Sequence, residues 1–305
     1  MREDDITGWF RQQRDLSPVD IPIGIGDDMA QIALGGGSSV LVTTDMLLDG
    51  THFKAATAGL TRVGYKSMAA SLSDCAAMAT IPLAAVVAVG LPAGFSEREL
   101  KELHSGIVSA ADRYRCPLVG GDITSWQGAG RLVVCVSMLS KPGDKPPVCR
   151  SGAKVGDAIC VTGSLGGSGL QKHLDFEPRV EEALEMARIA DLHAMMDISD
   201  GLSTDLNRIC TQSGVGAMVE ASAVPISDDA KEQADPLGAA LNDGEDFELL
   251  FTLSPDQWDK LRGQWRGSVP LTQIGRITDT GRMEIRRSDG QVADLEPGGY
   301  EHLTS

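Results

Sequence analysis

Apolar runs that end at short acidic turns set the pattern of this chain. Val40 to Thr44 reads as a buried strand aimed at Asp45, and Leu83 to Leu91 and Arg131 to Leu139 repeat the β-rich pattern. Ile21 to Ile25, Met29 to Leu34 and Pro117 to Val119 read as further strands. Helical periodicity marks a short amphipathic helix over 3 to 14, with Ile6, Trp9 and Phe10 on one side. Thr61 to Ala79 predicts a helix rich in Ala and Ser, a composition that permits close packing. Ser96 starts another that runs to about Tyr114, with Glu99 at capping-box spacing.

Lys141 to Pro147 holds three prolines, a glycine and an aspartate, and predicts a boundary between domains 1–145 and 146–305. Beyond it, Ala158 to Thr162, Ala217 to Ala221, Phe247 to Thr252, Gln273 to Ile277 and Met283 to Arg286 read as strands. Glu177 to Ala190, with Pro178 in its first turn, and Leu202 to Ser213 read as helices. Strands and helices mix without strict alternation, so two α+β domains are expected rather than a doubly wound sheet.

A net charge of -16 argues against nucleic acid or an anionic membrane surface as partner. The six cysteines, Cys75, Cys116, Cys135, Cys149, Cys160 and Cys210, form no Cys-x-x-Cys pair and read as core thiols of a reducing compartment. The acidic start lacks an apolar leader and Ile81 to Leu91 is too short to span a bilayer. A cytoplasmic protein is expected.

Five segments place carboxylates among glycines, small residues or hydroxyls: Gly-Ile-Gly-Asp-Asp at 24–28, Thr-Thr-Asp at 43–45, Leu-Ser-Asp at 72–74, Gly-Gly-Asp at 120–122 and Asp-Ile-Ser-Asp-Gly at 197–201. Aspartate beside glycine is common turn chemistry. Yet each segment borders an apolar run, and an ionised carboxylate near a core needs a partner or a cation. Nearby basic residues are too few, which points to hard cations such as Mg²⁺ and a phosphate substrate. Asp74, on an apolar helix, is the hardest to explain as a solvated face. Thr43 and Thr44 point to opposite sides of their strand, so only one can offer its hydroxyl to a given ion, and the other can offer its carbonyl. Asp200 fits a helix cap, which leaves Asp197 unexplained. Asn242-Asp243-Gly244 reads as a turn that does not require the Glu245-Asp246 after it. Gly24-Ile-Gly26 lacks the third glycine of a dinucleotide fingerprint and Gly163 to Gly169 lacks a P-loop ending, so a nucleotide would be held through metal bridges and isolated donors.

Taken together, Gly24-Ile-Gly-Asp-Asp28, Thr43-Thr-Asp45 with Gly50-Thr-His-Phe53, Tyr65-Lys66 with Leu72-Ser-Asp74-Cys-Ala-Ala-Met78, Gly120-Gly-Asp122, Arg150-Ser-Gly-Ala-Lys-Val-Gly-Asp157, Asp197-Ile-Ser-Asp-Gly-Leu202, Gly244-Glu-Asp-Phe-Glu-Leu249 and Gly299-Tyr-Glu-His302 resemble the thiamine-monophosphate kinases. That family shares a superfamily with aminoimidazole ribonucleotide synthetase, selenophosphate synthetase and a hydrogenase maturation protein. The resemblance implies two α/β-sandwich-type domains, the N-terminal one pairing in a homodimer. It implies ATP as co-substrate and transfer of the γ-phosphoryl group to thiamine monophosphate. Asp28, Thr43, Thr44, Asp45, Asp74, Asp122, Asp197 and Asp200 would ligate several Mg²⁺ ions, with Asp45, Asp74, Asp122 and Asp200 at the centre of the chemistry. Gly121, Asp122, Arg150 and Ser199 would contact ATP, and His52, Glu245 and Tyr300 the acceptor. The stretch from Gly163 to His173 is shorter than usual for that family. Aminoimidazole ribonucleotide synthetase, and a non-catalytic sensor that kept the fold, remain the alternatives at this point.

Overall fold

The computed structural model describes residues 3–13 and 16–301. Residue 14 of the first predicted helix and His302 of the C-terminal motif lie outside that range. Helix α1 (Glu3–Gln12) precedes a five-stranded sheet of β1 (Ala30–Gly35), β2 (Ser38–Leu48), β3 (Thr80–Leu91), β4 (Leu118–Ser125) and β5 (Val133–Pro142), in the order β1-β2-β5-β3-β4. Only β3 and β4 run parallel. One turn of helix, α2 (Ala55–Ala58), leads into α3 (Leu60–Ala77), and α4 (Glu97–Arg113) follows β3.

Alternation decides which side of this sheet faces the helices. Leu41, Leu47, Val87, Val89, Val134, Val136 and Met138 point inward and are buried. Met46, Val86 and Leu139 point the other way and stay exposed. Helices α3 and α4 cross at very short range. A Cβ on Gly64 would lie 2.0 Å from the Leu103 carbonyl oxygen, and one on Gly106 would lie 1.8 Å from that of Thr61. Small residues on α3 therefore permit the close packing expected of its composition. The capping box at Ser96 and Glu99 is formed.

A seven-stranded sheet takes up the second half. It comprises β6 (Ala158–Thr162), β7 (Ala194–Asp197), β8 (Gly216–Glu220), β9 (Leu249–Leu253), β10 (Leu271–Thr278), β11 (Met283–Arg286) and β12 (Val292–Asp294), ordered β12-β11-β8-β10-β6-β9-β7. Its helices are α5 (Val180–Ile189), α6 (Leu202–Ser213), α7 (Asp228–Lys231), α8 (Pro236–Asn242) and α9 (Pro255–Gln264). Strands β6, β7 and β9 are buried along their whole length, because α6 covers one face while α3, α5 and α9 cover the other. Helix α3 thus belongs to both halves, packing on β2, β3 and β5 and also on α5 and β7. The fold mixes antiparallel and parallel pairs in two sheets with helices, which is the α+β arrangement expected.

Several local expectations fail. Ile21 to Ile25 forms only isolated bridges, Ile23 with Gln31 and Ile25 with Asp27. Strand β4 runs on through Gly120-Gly121-Asp122 to Ser125, because pairing with β3 overrides the turn-like composition. Pro178 stands before α5 rather than in its first turn, since the non-helical backbone of Arg179 makes that residue the N-cap, and its side chain meets Glu248. Phe247 is not in a strand, and its φ of 50° is left-handed. Asn242 ends α8 and Asp243 is its C-cap, so Asn-Asp-Gly is a helix end, not a hairpin turn. All six cysteines are free.

Candidate active site

A cavity of about 800 Å³ opens between the two sheets and collects most of the residues singled out from the sequence. Strand β2 supplies Thr43 and Asp45 on its inner side. Helix α3 supplies Lys66, Ala70 and Asp74, whose four-residue spacing stacks them on one helix face. Asp28 enters from the turn before β1. Asp197 ends β7, and Ser199 and Asp200 follow it in the turn that leads to α6.

Asp28, Asp74 and Asp197 offer carboxylate oxygens that all lie within 4.8 Å of one another. Each oxygen set is positioned by neighbours. The Thr43 hydroxyl donates to Asp74 at 2.5 Å, Ser73 to Asp197 at 2.5 Å and Ser71 to Asp45 at 2.5 Å. Arg150 grips Asp28 with both Nε and a terminal nitrogen, at 3.2 and 2.5 Å, and its backbone N–H donates to Asp27 at 2.6 Å. The electrostatics are those of acids forced together. Burial, then Asp45, Asp197 and Asp28, push the Asp74 carboxyl well above its ordinary range. Burial and then Asp28 raise Asp197 to about 8, against the Ser73 hydrogen bond. Asp45 is raised by burial and by Asp28, with Ser71 opposing. Hard oxygen ligands that repel one another in a poorly solvated site are a fit for Mg²⁺, which would keep them ionised.

Thr44 points away, to the outer side of β2, where its hydroxyl meets Ser137 Oγ at 3.0 Å. Its side chain is therefore on the opposite face from Thr43, as the strand period requires, although the residue still borders the cleft. Asp200 is not a cap. Gly201 is the N-cap of α6, and Asp205 from inside that helix accepts from the N–H groups of Asp200 and Gly201 at 3.1 Å each. The Asp200 carboxylate instead pairs with Arg208 at 2.6 Å.

The other wall carries His52, Glu245 and Tyr300. His52 Nδ1 accepts from the Leu48 N–H at 3.0 Å, which leaves Nε2 to carry the ring proton. Glu245 sits in left-handed backbone, φ 53°, and its N–H donates to the Ser199 carbonyl at 2.7 Å. The Tyr300 N–H donates to the Asp200 carbonyl at 2.9 Å, which draws the C-terminal segment over the cleft. Phe247 borders Glu245 and stacks on Phe176 with ring centroids 3.9 Å apart.

Gly121 and Asp122 are not in this cavity. Both lie on β4, exposed. The register aligns Asp45, Val136, Val87 and Gly121 across the sheet, which puts Gly121 three strand spacings, about 14 Å, from Asp45. Asp122, in the next row with Ala88, Cys135 and Met46, faces the outer side. Conversely, the cleft contains polar residues not assigned from the sequence: Arg11, Lys66, Asn207, Arg208 and Gln212. The three on α6 fall on one face at 207, 208 and 212, a pattern readable only once the cleft side of that helix is known.

Two sheets with an acidic cleft between them place the chain in a defined class. Residues 26–141 match the model of the AIR synthase related protein N-terminal domain, and residues 154–288 that of its C-terminal domain. Curated relatives narrow the class. The thiamine-monophosphate kinase of Rhodopirellula baltica is 36% identical over 92% of this chain and 92% of its own length. That of Methanospirillum hungatei is 36% identical over 95% and 98%. The solved structure of AaThiL complexed with AMPPCP and TMP superposes with a TM-score of 0.84, at 27% identity, covering 99% of this chain and 97% of that one. The chain belongs to the thiamine-monophosphate kinase family.

Proposed function

We propose that the protein is an ATP-dependent kinase that phosphorylates thiamine monophosphate to thiamine diphosphate, the last step of thiamine diphosphate biosynthesis, and works as a cytoplasmic homodimer. The observation that carries this reading is the juxtaposition of the Asp28–Asp74–Asp197 cluster with the His52–Glu245 wall in one cleft. The names of the relatives, and the AMPPCP and TMP held by AaThiL, supply the chemical identity of the two substrates. Among the described residues no helix is long and apolar enough to cross a membrane.

The residues divide the work by chemistry. Asp28, Asp45, Asp74, Asp197 and Asp200, with Thr43 and the backbone of Thr44, would hold Mg²⁺. Bound there, the cations offset the repulsion between two phosphorylated substrates and stabilise charge on the transferred group. Arg150 and Ser199 serve ATP; Arg150 is already held at the cluster by Asp28. His52, Glu245 and Tyr300 orient the acceptor. Its phosphate is itself the nucleophile, so alignment rather than a strong general base is what the site must supply.

Gly121 and Asp122 enter this scheme through a second copy of the chain. The exposed apolar residues Met46, Val86 and Leu139 on the outer side of the first sheet, beside the exposed β4, give an isologous partner a surface to cover. Such pairing would carry one copy's β4 to the other copy's cleft. ADP release with and without thiamine monophosphate tests the reading. Release that depends on the acceptor supports a kinase, and binding of both compounds with no ADP release makes the protein a sensor.

A further inference from the structure

Among the described residues Lys66 is the one lysine lining the cleft, and its side chain has no exposed surface. A buried ammonium is costly unless acceptors meet its N–H bonds. Its Nζ donates to Glu245 Oε1 at 2.5 Å and to the His52 carbonyl at 2.5 Å. One acceptor comes from the segment before β9, in the second half of the chain. The other comes from the loop after β2, in the first. Lys66 reaches them from α3, the helix that packs against both halves.

The two acceptors need such a tie. Glu245 holds a left-handed φ that a residue other than glycine keeps only when its surroundings determine it. Its backbone is fixed by the Ser199 carbonyl, but its carboxylate is about one-third exposed, and Lys66 is the cation that fixes its direction. The pairing also neutralises Glu245, so this carboxylate does not join the acidic cluster that begins two turns further along α3 at Asp74. Arg150, by contrast, holds a member of that cluster directly.

We infer that Lys66 is a positioning residue for the acceptor. It joins the Glu245 carboxylate and the His52 loop into one rigid wall, and so sets the distance of the bound acceptor from the aspartate cluster. The inference rests on the kinase reading above and adds the residue that shapes its acceptor subsite.

Steady-state kinetics at saturating Mg²⁺ test it, with thiamine monophosphate and ATP varied separately. Lys66→Met removes a charged hydrogen-bond donor, so the KM for thiamine monophosphate rises about tenfold or more while the KM for ATP stays within about twofold. Lys66→Arg keeps the charge and recovers most of that loss. The double variant Lys66→Met/Glu245→Gln leaves neither member of the pair charged, so it folds even if the unpaired Glu245 of Lys66→Met destabilises that variant. It is no weaker toward the acceptor than Glu245→Gln, because the two residues act as one unit. An unchanged acceptor KM in Lys66→Met overturns the inference. So does a loss confined to ATP, or a double variant about tenfold weaker than Glu245→Gln alone. Those outcomes presuppose a wild-type protein that makes thiamine diphosphate. A wild type that makes none overturns the reaction itself, which is a separate result.

Discussion

Replacing Asp197 by Asn makes the protein more stable when cations are withheld, and the gain grows with pH. Asp197 is only 3% exposed, and burial with the Asp28 charge lifts its carboxyl from 3.8 to about 8. Because the fold raises this pKa, the folded state binds the proton more tightly than the unfolded chain. The resulting stability is fully present below about pH 4 and is lost as pH rises through about 8. A rise of that size corresponds to on the order of 5 kcal/mol. The neighbouring acids titrate together and share it, so ~2 kcal/mol is expected for the single variant at pH 8, about 3 °C in Tm for a chain of 305 residues. Asn keeps an oxygen that can accept from Ser73, so little packing is lost. The assay is thermal melting in excess chelator at intervals from pH 5 to 8.5, repeated with Mg²⁺. The wild type should lose stability toward high pH in chelator, the variant should lose less, and Mg²⁺ should reverse their order. A variant that melts below the wild type in chelator at pH 8, or an identical pH slope for both, would refute the reasoning.

Asp74→Asn should lower turnover by a hundredfold or more at ordinary Mg²⁺, since a cation site is worth several kcal/mol to charge developed in phosphoryl transfer, at about tenfold per 1.4 kcal/mol; near-normal turnover would remove Asp74 from the metal scaffold. Gly64→Val should destabilise by about 1–3 kcal/mol or prevent folding, because its side chain meets the Leu103 carbonyl; an unchanged urea midpoint would show that α3 and α4 can separate freely. Sedimentation at micromolar concentration should give the mass of two chains. Met46→Glu should shift that mass toward one chain and lower activity, and a fully active monomer would exclude the route by which Asp122 reaches a cleft.

The regular elements were legible where their limits are local. Helix α6 has the bounds expected from its pattern because glycines stand at both ends, Gly201 as N-cap and Gly214 in left-handed backbone as C-cap. Strands β6 and β11 also match, β6 as a short apolar run and β11 as the alternation Met-Glu-Ile-Arg. Strand β4 was only half legible, since two glycines and an aspartate read as a turn until β3 is known to lie beside them. The acidic residues were legible through the cost of charge near apolar runs, and all but Asp122 converge on one cleft. Lys66 was not, because a lone lysine in a helix is ordinary until Glu245 arrives from 179 residues away. The Asp200 cap was misread for a related reason. Asp205, five residues on, takes the capping role, and Arg208 is what claims Asp200.

Direct product analysis tests the central claim. The protein is incubated with ATP, Mg²⁺ and thiamine monophosphate, and the mixture is resolved by mass. The account predicts thiamine diphosphate with equimolar ADP, and neither product in excess chelator. No thiamine diphosphate in the presence of Mg²⁺, or equal amounts with and without chelator, would contradict it.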